Sequence, residues 1–489
     1  MANAGDGDEI LRPPPPGEPL ADVAEAIREA LRFPLAGPSL ETLARGARRA
    51  TILVEPPALP IPSAERDPRQ VAIGATVEEL ERLGIASGYQ TILVAGGLAR
   101  RAGQRELATL VTPDFARRFH GQVAVHDAES PRLAQLAADG EAPIRVHPAL
   151  VETDVTVVVT AAESVLHGGP AALVAATGAE TAGATAGSAS LLETAASDGW
   201  RLGTAVERAV ARRVPLIGAS LVLNHPRAGG ALSGYPYEPE AVDRVARSPL
   251  RPLFAAVPGA VRARILRSLR LELSAAAAFA GPPSVAHAEA LLRGVELRGA
   301  DLAGRLDAIC IGVPRATPYL PRERPNPLLA AYLGLGLALR LWRDAFPLAD
   351  GGTAILLHRF VRHFTHPTQQ PYRAFFHAVR AGGSRSAEEL EQAERAAAAD
   401  ERALEAYRSG QACHPRAPFA DWAACAPALR RLGAVVVAGC RDAVAARQLG
   451  FVPAHGLGAA LEMATGRAGR PARVGFLLAP PYFPLRVRG

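Results

Sequence analysis

Short apolar runs alternate with longer stretches of Ala, Leu, Glu and Arg along most of the chain. The runs are rich in Val, Ile and Leu, which is typical of buried strands, and they lie at 50–54, 90–94, 122–125, 155–160 and 214–222. Helical spacing of apolar residues marks 21–31, 77–83 and 191–212, and Phe33-Pro34 and Gly84 follow the first two as stop signals. This alternation predicts strand–helix units on a largely parallel sheet.

The alternation breaks after His225-Pro226, where residues 226–252 are rich in Gly, Pro and Arg. It resumes with predicted strands at 307–313, 353–357, 434–438 and 473–478 and a buried helix at 328–343. We therefore predict an α/β fold of two lobes, each a mainly parallel sheet with flanking helices, and a cleft between them. The predicted divisions are a Pro-rich tail (1–20), a first lobe (21–226), a hinge region (227–290) and a second lobe (291–489).

The charged stretch at 386–408 carries Glu and Arg at helical spacings and has little apolar face. It predicts a solvated helix inserted into the second lobe.

The amino-acid composition argues against several kinds of chemistry and several classes of partner. The 54 basic residues are all arginines, so the chain has no side-chain amine for Schiff-base or amide chemistry. The net charge of +6 is small for this length and no nucleic-acid motif accompanies it, which argues against a nucleic-acid partner. Four cysteines without CxxC pairing, no signal pattern and no apolar run long enough for a bilayer together predict a cytoplasmic protein with no membrane partner.

The first candidate site is the loop ESVLHGGPAAL at 163–173, which follows the predicted strand at 155–160. Glu163 and His167 would lie at the carboxyl end of that strand, where open α/β sheets bind ligands, and either could act as a general acid or base. Gly168 and Gly169 precede Pro170 at a predicted helix start, so their N–H groups could approach an anion. The alternative is a turn in which His167 caps backbone groups.

Two further segments carry candidate ligand-binding residues. His225 follows another predicted strand and could face the same cleft, with a turn residue as the alternative. The stretch at 358–377 holds four histidines and three arginines. Arg359, Arg362 and Arg373 suit bidentate binding of a carboxylate or phosphate. His363 and His366 are three residues apart and could share a helix face to bind a metal, while a structural polar loop is the third interpretation.

The order of several segments resembles the nickel-dependent lactate racemase family from about residue 12 to 485. The segments include LRPPPPGEPLADVAEAIREAL, ILVEPPALPIP (52–62), TILVAGGLAR (91–100), VHPALVETDVTVVV (146–159) and DAICIGVPRATPY (307–319). The resemblance implies a two-lobe α/β isomerase of 2-hydroxy acids. It also implies a nickel-pincer nucleotide tethered to a lysine, with two histidines as acid and base.

The residues that this chemistry requires are largely missing. The family's Asp-x-Thr-Arg-Pro stretch reads PPALP at 56–60, and one acid/base histidine is replaced by Ala99, while the second aligns with His167. The tethering lysine falls near 175–177, and the nickel-binding histidine has no counterpart in 183–196. Because arginine cannot form the thioamide link, covalent attachment of the cofactor is not expected.

The leading hypothesis is a divergent member that binds or acts on a small 2-hydroxy or carboxylic acid in the cleft. In it, His167 and Glu163 transfer protons while the remaining candidates hold the anion: Gly168, Gly169, His225, Arg359, Arg362 and Arg373. The cofactor would be untethered or absent. The alternative is a non-catalytic sensor of small anionic metabolites, or a partner subunit, that has kept the fold.

Overall fold

The computed structural model of the chain describes residues 8–56, 67–103, 107, 110–137, 143–258, 261–262, 264–265, 271–314, 325–364, 366–379 and 387–488.

Strands are numbered here in chain order. They are β1 (Glu9–Leu11), β2 (Ala50–Val54), β3 (Gln90–Val94), β4 (Gln122–Val125), β5 (Ala134–Leu136), β6 (Ile144–Val146), β7 (Val155–Ala161), β8 (Leu216–Leu223), β9 (Arg227–Ala228), β10 (Leu271–Glu272), β11 (Ala275–Gly281), β12 (Ala300–Ala303), β13 (Leu306–Gly312), β14 (Trp342–Arg343), β15 (Leu348–Leu357), β16 (Ala434–Ala438), β17 (Val452–Ala454), β18 (Val474–Leu477) and β19 (Leu485–Arg488).

The α-helices of the described residues are numbered in the same way. They are α1 (Val23–Arg32), α2 (Leu40–Leu43), α3 (Pro68–Arg82), α4 (Pro113–Ala116), α5 (Pro170–Ala175), α6 (Ala179–Gly183), α7 (Asp198–Ala211), α8 (Pro239–Arg247), α9 (Leu250–Ala256), α10 (Pro283–Arg298), α11 (Pro327–Ala331), α12 (Gln370–Val379), α13 (Ala387–Ala398), α14 (Glu401–Arg408), α15 (Ala417–Leu429), α16 (Ala443–Gln448) and α17 (Leu457–Ala468).

The first lobe is built on a six-stranded sheet in the order β11-β8-β7-β2-β3-β4. Its strands are parallel except β11, which runs antiparallel to β8. Every residue of β2 and β7 is buried, as expected of central strands whose two faces are both covered by helices. Pro68 opens α3 behind the N-cap Asp67, whose side chain accepts the Arg69 N–H, and this start places Arg69 beside the end of β7.

The second lobe has a fully parallel sheet in the order β1-β18-β13-β15-β16-β17. Its outermost strand on one side, β1, comes from the N-terminus, and Leu11 pairs with Leu477. A smaller parallel sheet, β12-β19-β14, lies beside it. The two-lobe α/β class predicted from the sequence is confirmed.

The strand predictions at 50–54, 90–94, 122–125 and 434–438 coincide with β2, β3, β4 and β16. The helix predicted at 328–343 is present up to Arg340 but is not one regular α-helix. The chain forms α11, a π-helical segment Tyr332–Leu337, a short 3-10 helix Ala338–Arg340 and then β14. Gly334 packs so closely on β15 that an added Cβ would lie 2.7 Å from Leu356 Cδ2, so backbone packing overrides the regular helical spacing here.

Two of the predicted divisions, the tail and the hinge, contain strands or helices that belong to the lobes. Residues of the predicted tail form β1, and β11 with half of α10 lies in the predicted hinge although both pack on the first sheet. The division of the chain itself stays a prediction. No helix of the described residues combines the length and apolar character needed to cross a membrane.

Candidate functional site

Two carboxyl groups meet at one edge of the first sheet. Glu55 follows β2 directly, and Glu163 follows β7 by two residues. Because β2 and β7 are parallel neighbours, with Val54 paired to Val159, their carboxyl ends lie side by side. Glu55 Oε2 accepts a 2.7 Å hydrogen bond from the Gly168 N–H, and Glu163 Oε1 lies 3.1 Å from Arg69 Nη1. Arg69 also holds Asp67 at 2.6 Å, so the edge carries a connected acidic and basic network.

The environment gives these carboxyl groups different roles. The pKa of Glu55 is raised to about 8: burial is the largest cause, the Gly168 hydrogen bond opposes it, and the negative charge of Glu163 adds to it. Glu55 is therefore mostly a neutral carboxylic acid at neutral pH, beside a Glu163 that is ion-paired to Arg69. A buried carboxylic acid beside an ion-paired carboxylate is a common arrangement for acid–base catalysis.

His167 stands above this edge in a fixed orientation. Its Nδ1 lies 2.8 Å from Ser164 Oγ, and the Ser164 carbonyl lies 2.9 Å from Nε2 of the buried His287. The pKa of His167 is lowered to about 4, mainly by burial and in smaller part by the charge of Arg340 and by His287. The imidazole is therefore neutral at neutral pH, and its Nε2 makes no hydrogen bond to the described residues, which leaves it available to a substrate.

The glycine pair below His167 is required by packing. Gly168 and Gly169 have φ of +91° and +54°, and a Cβ on Gly169 would lie 2.3 Å from His287 Cβ. Their N–H groups donate to Glu55 Oε2 and, at 2.9 Å, to Thr160 Oγ1. The two donors that the sequence offers to an anion are therefore used by side chains of the protein.

The second lobe contributes Arg340 to the neighbourhood of His167. This guanidinium is 1% exposed and donates to the carbonyls of Gly336 and of Ser188, the latter in the first lobe. Its Nε has no hydrogen-bond partner, and no ion pair joins it to a carboxylate of the described residues. Burial lowers the pKa of Arg340 to about 10, so the group is a buried cation between the lobes whose hydrogen bonds all go to backbone carbonyls, with the Tyr332 and Cys425 side chains nearby.

The arginines and histidines at 358–377, which the sequence predicts to be anion or metal ligands, lie in the second lobe away from Glu163 and His167. Arg359 and Arg373 are exposed, and Arg362 is paired with Asp442. His363 is exposed, and His366 Nδ1 lies 2.8 Å from Thr368 Oγ1. No contact joins any of them to Glu163 or His167 among the described residues, and no group of three metal-ligating side chains occurs there.

His225 is held in a structural contact between the lobes. Its Nε2 lies 3.2 Å from the Arg298 carbonyl, and its ring packs on Tyr237 and on Phe483 of the second lobe. Burial, with the charge of Arg298, lowers the pKa of His225 to about 3. These contacts match the turn-residue alternative for His225.

The residues present do not fit a lysine-tethered nickel cofactor. The loop that carries Ala99 packs against 175–177, the position of the family's lysine, with the Gly97 N–H donating to the Ala175 carbonyl at 3.0 Å. The same loop is covered by the second lobe, since Tyr407 Oη donates to the Gly97 carbonyl at 3.3 Å. The chain has no lysine, and the described residues contain no cluster of three metal-ligating side chains, so the groups that would hold that cofactor are missing there.

Sequence reasoning missed Glu55 and Arg340. Glu55 had a signal, because it follows the predicted strand at 50–54 without an intervening residue. Arg340 also had one, because it is the lone charge within the apolar run at 328–342, and a buried charge is rarely without a function.

Comparisons with known proteins agree with the sequence and the fold. Residues 7–167 match the family model of the lactate racemase N-terminal domain. The fold is similar to the lactate racemase apoprotein from Thermoanaerobacterium thermosaccharolyticum, with a TM-score of 0.60 and 14% identity, covering 98% of this chain and 94% of that one. It is also similar to a Thermotoga maritima protein, with a TM-score of 0.52 and 12% identity, covering 97% and 100%. At these identities the structural likeness shows the fold alone, and no match was found among curated protein sequences.

Proposed function

Because the chain is lactate racemase-like, in the sequence of residues 7–167 and in its fold, we propose that it binds a small 2-hydroxy or carboxylic acid between its lobes. The observation that carries the proposal is the buried guanidinium of Arg340 beside His167. A buried cation without a counter-charge costs free energy that an anionic ligand would recover. The carboxylate of such an acid is the simplest ligand of that charge.

Acid–base chemistry on the bound acid would use the residues already present. The neutral His167 can accept a proton at Nε2, and Glu55, with a pKa of about 8, can supply one. Glu163, paired with Arg69, maintains a negative charge that favours the protonated form of Glu55. In this proposal the acid's carboxylate is assigned to Arg340, and Arg359, Arg362 and Arg373 stay predicted anion ligands without a contact to His167.

The first test is binding. Thermal unfolding of the wild-type chain is followed with D-lactate, L-lactate, glycolate and acetate, because a ligand that binds only the folded state raises Tm. The ligand-induced rise is expected to be lost in Arg340→Met and reduced in Arg340→Lys, each compared with the same variant without ligand. Equal rises in wild type and Arg340→Met would place the anion elsewhere, and no rise with any acid would contradict the proposal.

The second test separates catalysis from sensing. Exchange of the acid's α-hydrogen with deuterium from D2O is followed by NMR. His167→Ala is expected to slow it by about 100-fold or more, and the exposed His120→Ala is the control. Binding without exchange in the wild type would favour the non-catalytic sensor, which needs Arg340 but not a proton acceptor.

A further inference from the structure

The described residues between 229 and 265 form an arm on the first lobe. Its base is closed by the two-stranded ribbon β9–β10, in which Ala228 pairs with Leu271. Within the arm lie α8 and α9, and the chain returns through β10 to the sheet strand β11. The arm is thus an insertion whose two ends are both attached to the first lobe.

The arm exposes large apolar side chains on one side. Leu250, Leu253 and Phe254 have the i, i+3, i+4 spacing that places them on one face of α9, and they are 66%, 65% and 36% exposed. Val261, further along, is 48% exposed. Surface helices of globular proteins normally bury such a face against the core. The apolar face of this arm therefore points away from its own lobe.

The same part of the chain is strongly basic. Between Asp243 and Glu272 the sequence has seven arginines and no acidic residue. Arg244, Arg247 and Arg264 are exposed, and the one ion pair among them, Arg247 with Asp243, is itself largely exposed to solvent. A second copy of the chain would bring the same positive charges opposite these, so an isologous contact is disfavoured. The positive charge of the arm favours an anionic binding partner.

We propose that the arm docks on an anionic lipid surface. The apolar side chains of α9 would enter the boundary between headgroups and acyl chains, while the arginines bind lipid phosphates. A bilayer is favoured over an acidic protein because the described face offers projecting Leu, Phe and Val side chains, which a bilayer accepts without a matching groove. The expectation of no membrane partner rested on the lack of a spanning segment and a signal pattern, and docking on the surface requires neither.

The test is co-sedimentation of the full chain with vesicles of phosphatidylcholine, with and without phosphatidylglycerol. The chain is expected to pellet only with the vesicles that contain phosphatidylglycerol, and the pelleted fraction should fall at high salt. The double variants Leu253→Ser/Phe254→Ser and Arg247→Gln/Arg264→Gln should each weaken binding by about ten-fold or more. The matched controls change exposed residues on other surfaces, Phe33→Ser/Val444→Ser and Arg117→Gln/Arg118→Gln, and should bind as the wild type does.

Four results would overturn the proposal. The first is a wild-type chain that stays in the supernatant with anionic vesicles, and the second is equal binding by the arm variants and their controls. The third is a wild-type chain that does not bind vesicles and is a dimer in light scattering, while Leu253→Ser/Phe254→Ser is a monomer. That result would make this face a contact between two copies of the chain. Retention on a polyglutamate matrix without vesicle binding would likewise assign the arm to an acidic protein. Because the substituted residues are exposed, unchanged Tm values will confirm that each variant is folded.

Discussion

Glu55 and Glu163 lie at the same edge of the first sheet, yet different neighbours surround them. Arg69 supplies a positive charge to Glu163, whereas Glu55 receives one backbone N–H and lies next to a negative charge. A single hydrogen bond from a neutral donor stabilises a buried carboxylate less than a guanidinium does. The difference between the two residues therefore follows from which neighbour each strand end meets, and it leaves a protonated carboxyl beside a neutral imidazole.

The raised pKa of Glu55 predicts a specific dependence of stability on pH. Between its unfolded value of 4.5 and about 8, the folded chain keeps a proton that the unfolded chain releases, so this group stabilises the fold less as pH rises and its contribution levels off above about 8. Each pKa unit corresponds to about 1.4 kcal/mol, which makes the total a few kcal/mol. Glu55→Gln, which imitates the protonated form, should gain stability relative to the wild type between pH 5 and pH 8 in urea unfolding.

The control for this prediction is Glu462→Gln, at an exposed position of α17. Its stability difference from the wild type should stay constant over the same pH range. If the difference for Glu55→Gln were also constant, Glu55 would be ionised in the folded chain at neutral pH and could not serve as the proton donor.

At the scale of elements, α13 and α14 form the charged stretch that the sequence predicts to be solvated. The prediction is right for most of the surface and wrong at the end of α14, where Leu404 and Tyr407 are buried and Tyr407 contacts the first lobe. Tyr407 Oη accepts the Ala128 N–H at 3.1 Å and donates to the Gly97 carbonyl. Nearby, His414 Nε2 lies 3.0 Å from Glu129 Oε1 across the same boundary. The end of α14 thus fastens the loops of the first lobe that follow β3 and β4.

These contacts indicate what the sequence could and could not predict. Strands such as β2 and β3 were predictable because both faces are covered, which leaves an uninterrupted apolar run. The burial of Tyr407 was not, since it depends on a loop about 300 residues away in the chain and leaves little periodic signal in α14 itself. For the same reason the loop at 163–169 could be proposed as a site from its position after a strand, whereas Arg340 could not be placed beside it.

The contact of Tyr407 predicts a measurable loss. Tyr407→Phe keeps the ring but leaves the buried Ala128 N–H without its acceptor, which should cost about 1–3 kcal/mol in urea unfolding. The control is Tyr89→Phe, because Tyr89 is 66% exposed and should change the free energy of unfolding by less than about 0.5 kcal/mol. Equal effects of the two substitutions would mean that α14 does not bind the first lobe in solution.

For the whole molecule, the chain path ties the two lobes together more than once. The N-terminal strand β1 belongs to the second sheet, after which the chain builds the first lobe and returns to the second through β12. At the base of this path Asn224 holds Gly17 by two hydrogen bonds of 3.1 Å, so the segment after β1 is fixed to the first lobe. Folding of the second sheet therefore depends on residues that precede the first, which favours one cooperative unfolding transition over two.

The last prediction tests this arrangement with two adjacent residues of β1. Leu11 is 2% exposed and its carbonyl accepts the Leu478 N–H at 3.0 Å, whereas Ile10 is 54% exposed. Leu11→Ala should cost about 2–5 kcal/mol, the usual range for a buried leucine, and Ile10→Ala much less. Because both substitutions remove aliphatic atoms from the same strand, their difference reports burial rather than strand propensity.

If β1 were instead a loose tail, the two variants would unfold at the same urea concentration as the wild type. A loss confined to one of two separate transitions would show that the lobes unfold independently despite the shared strand.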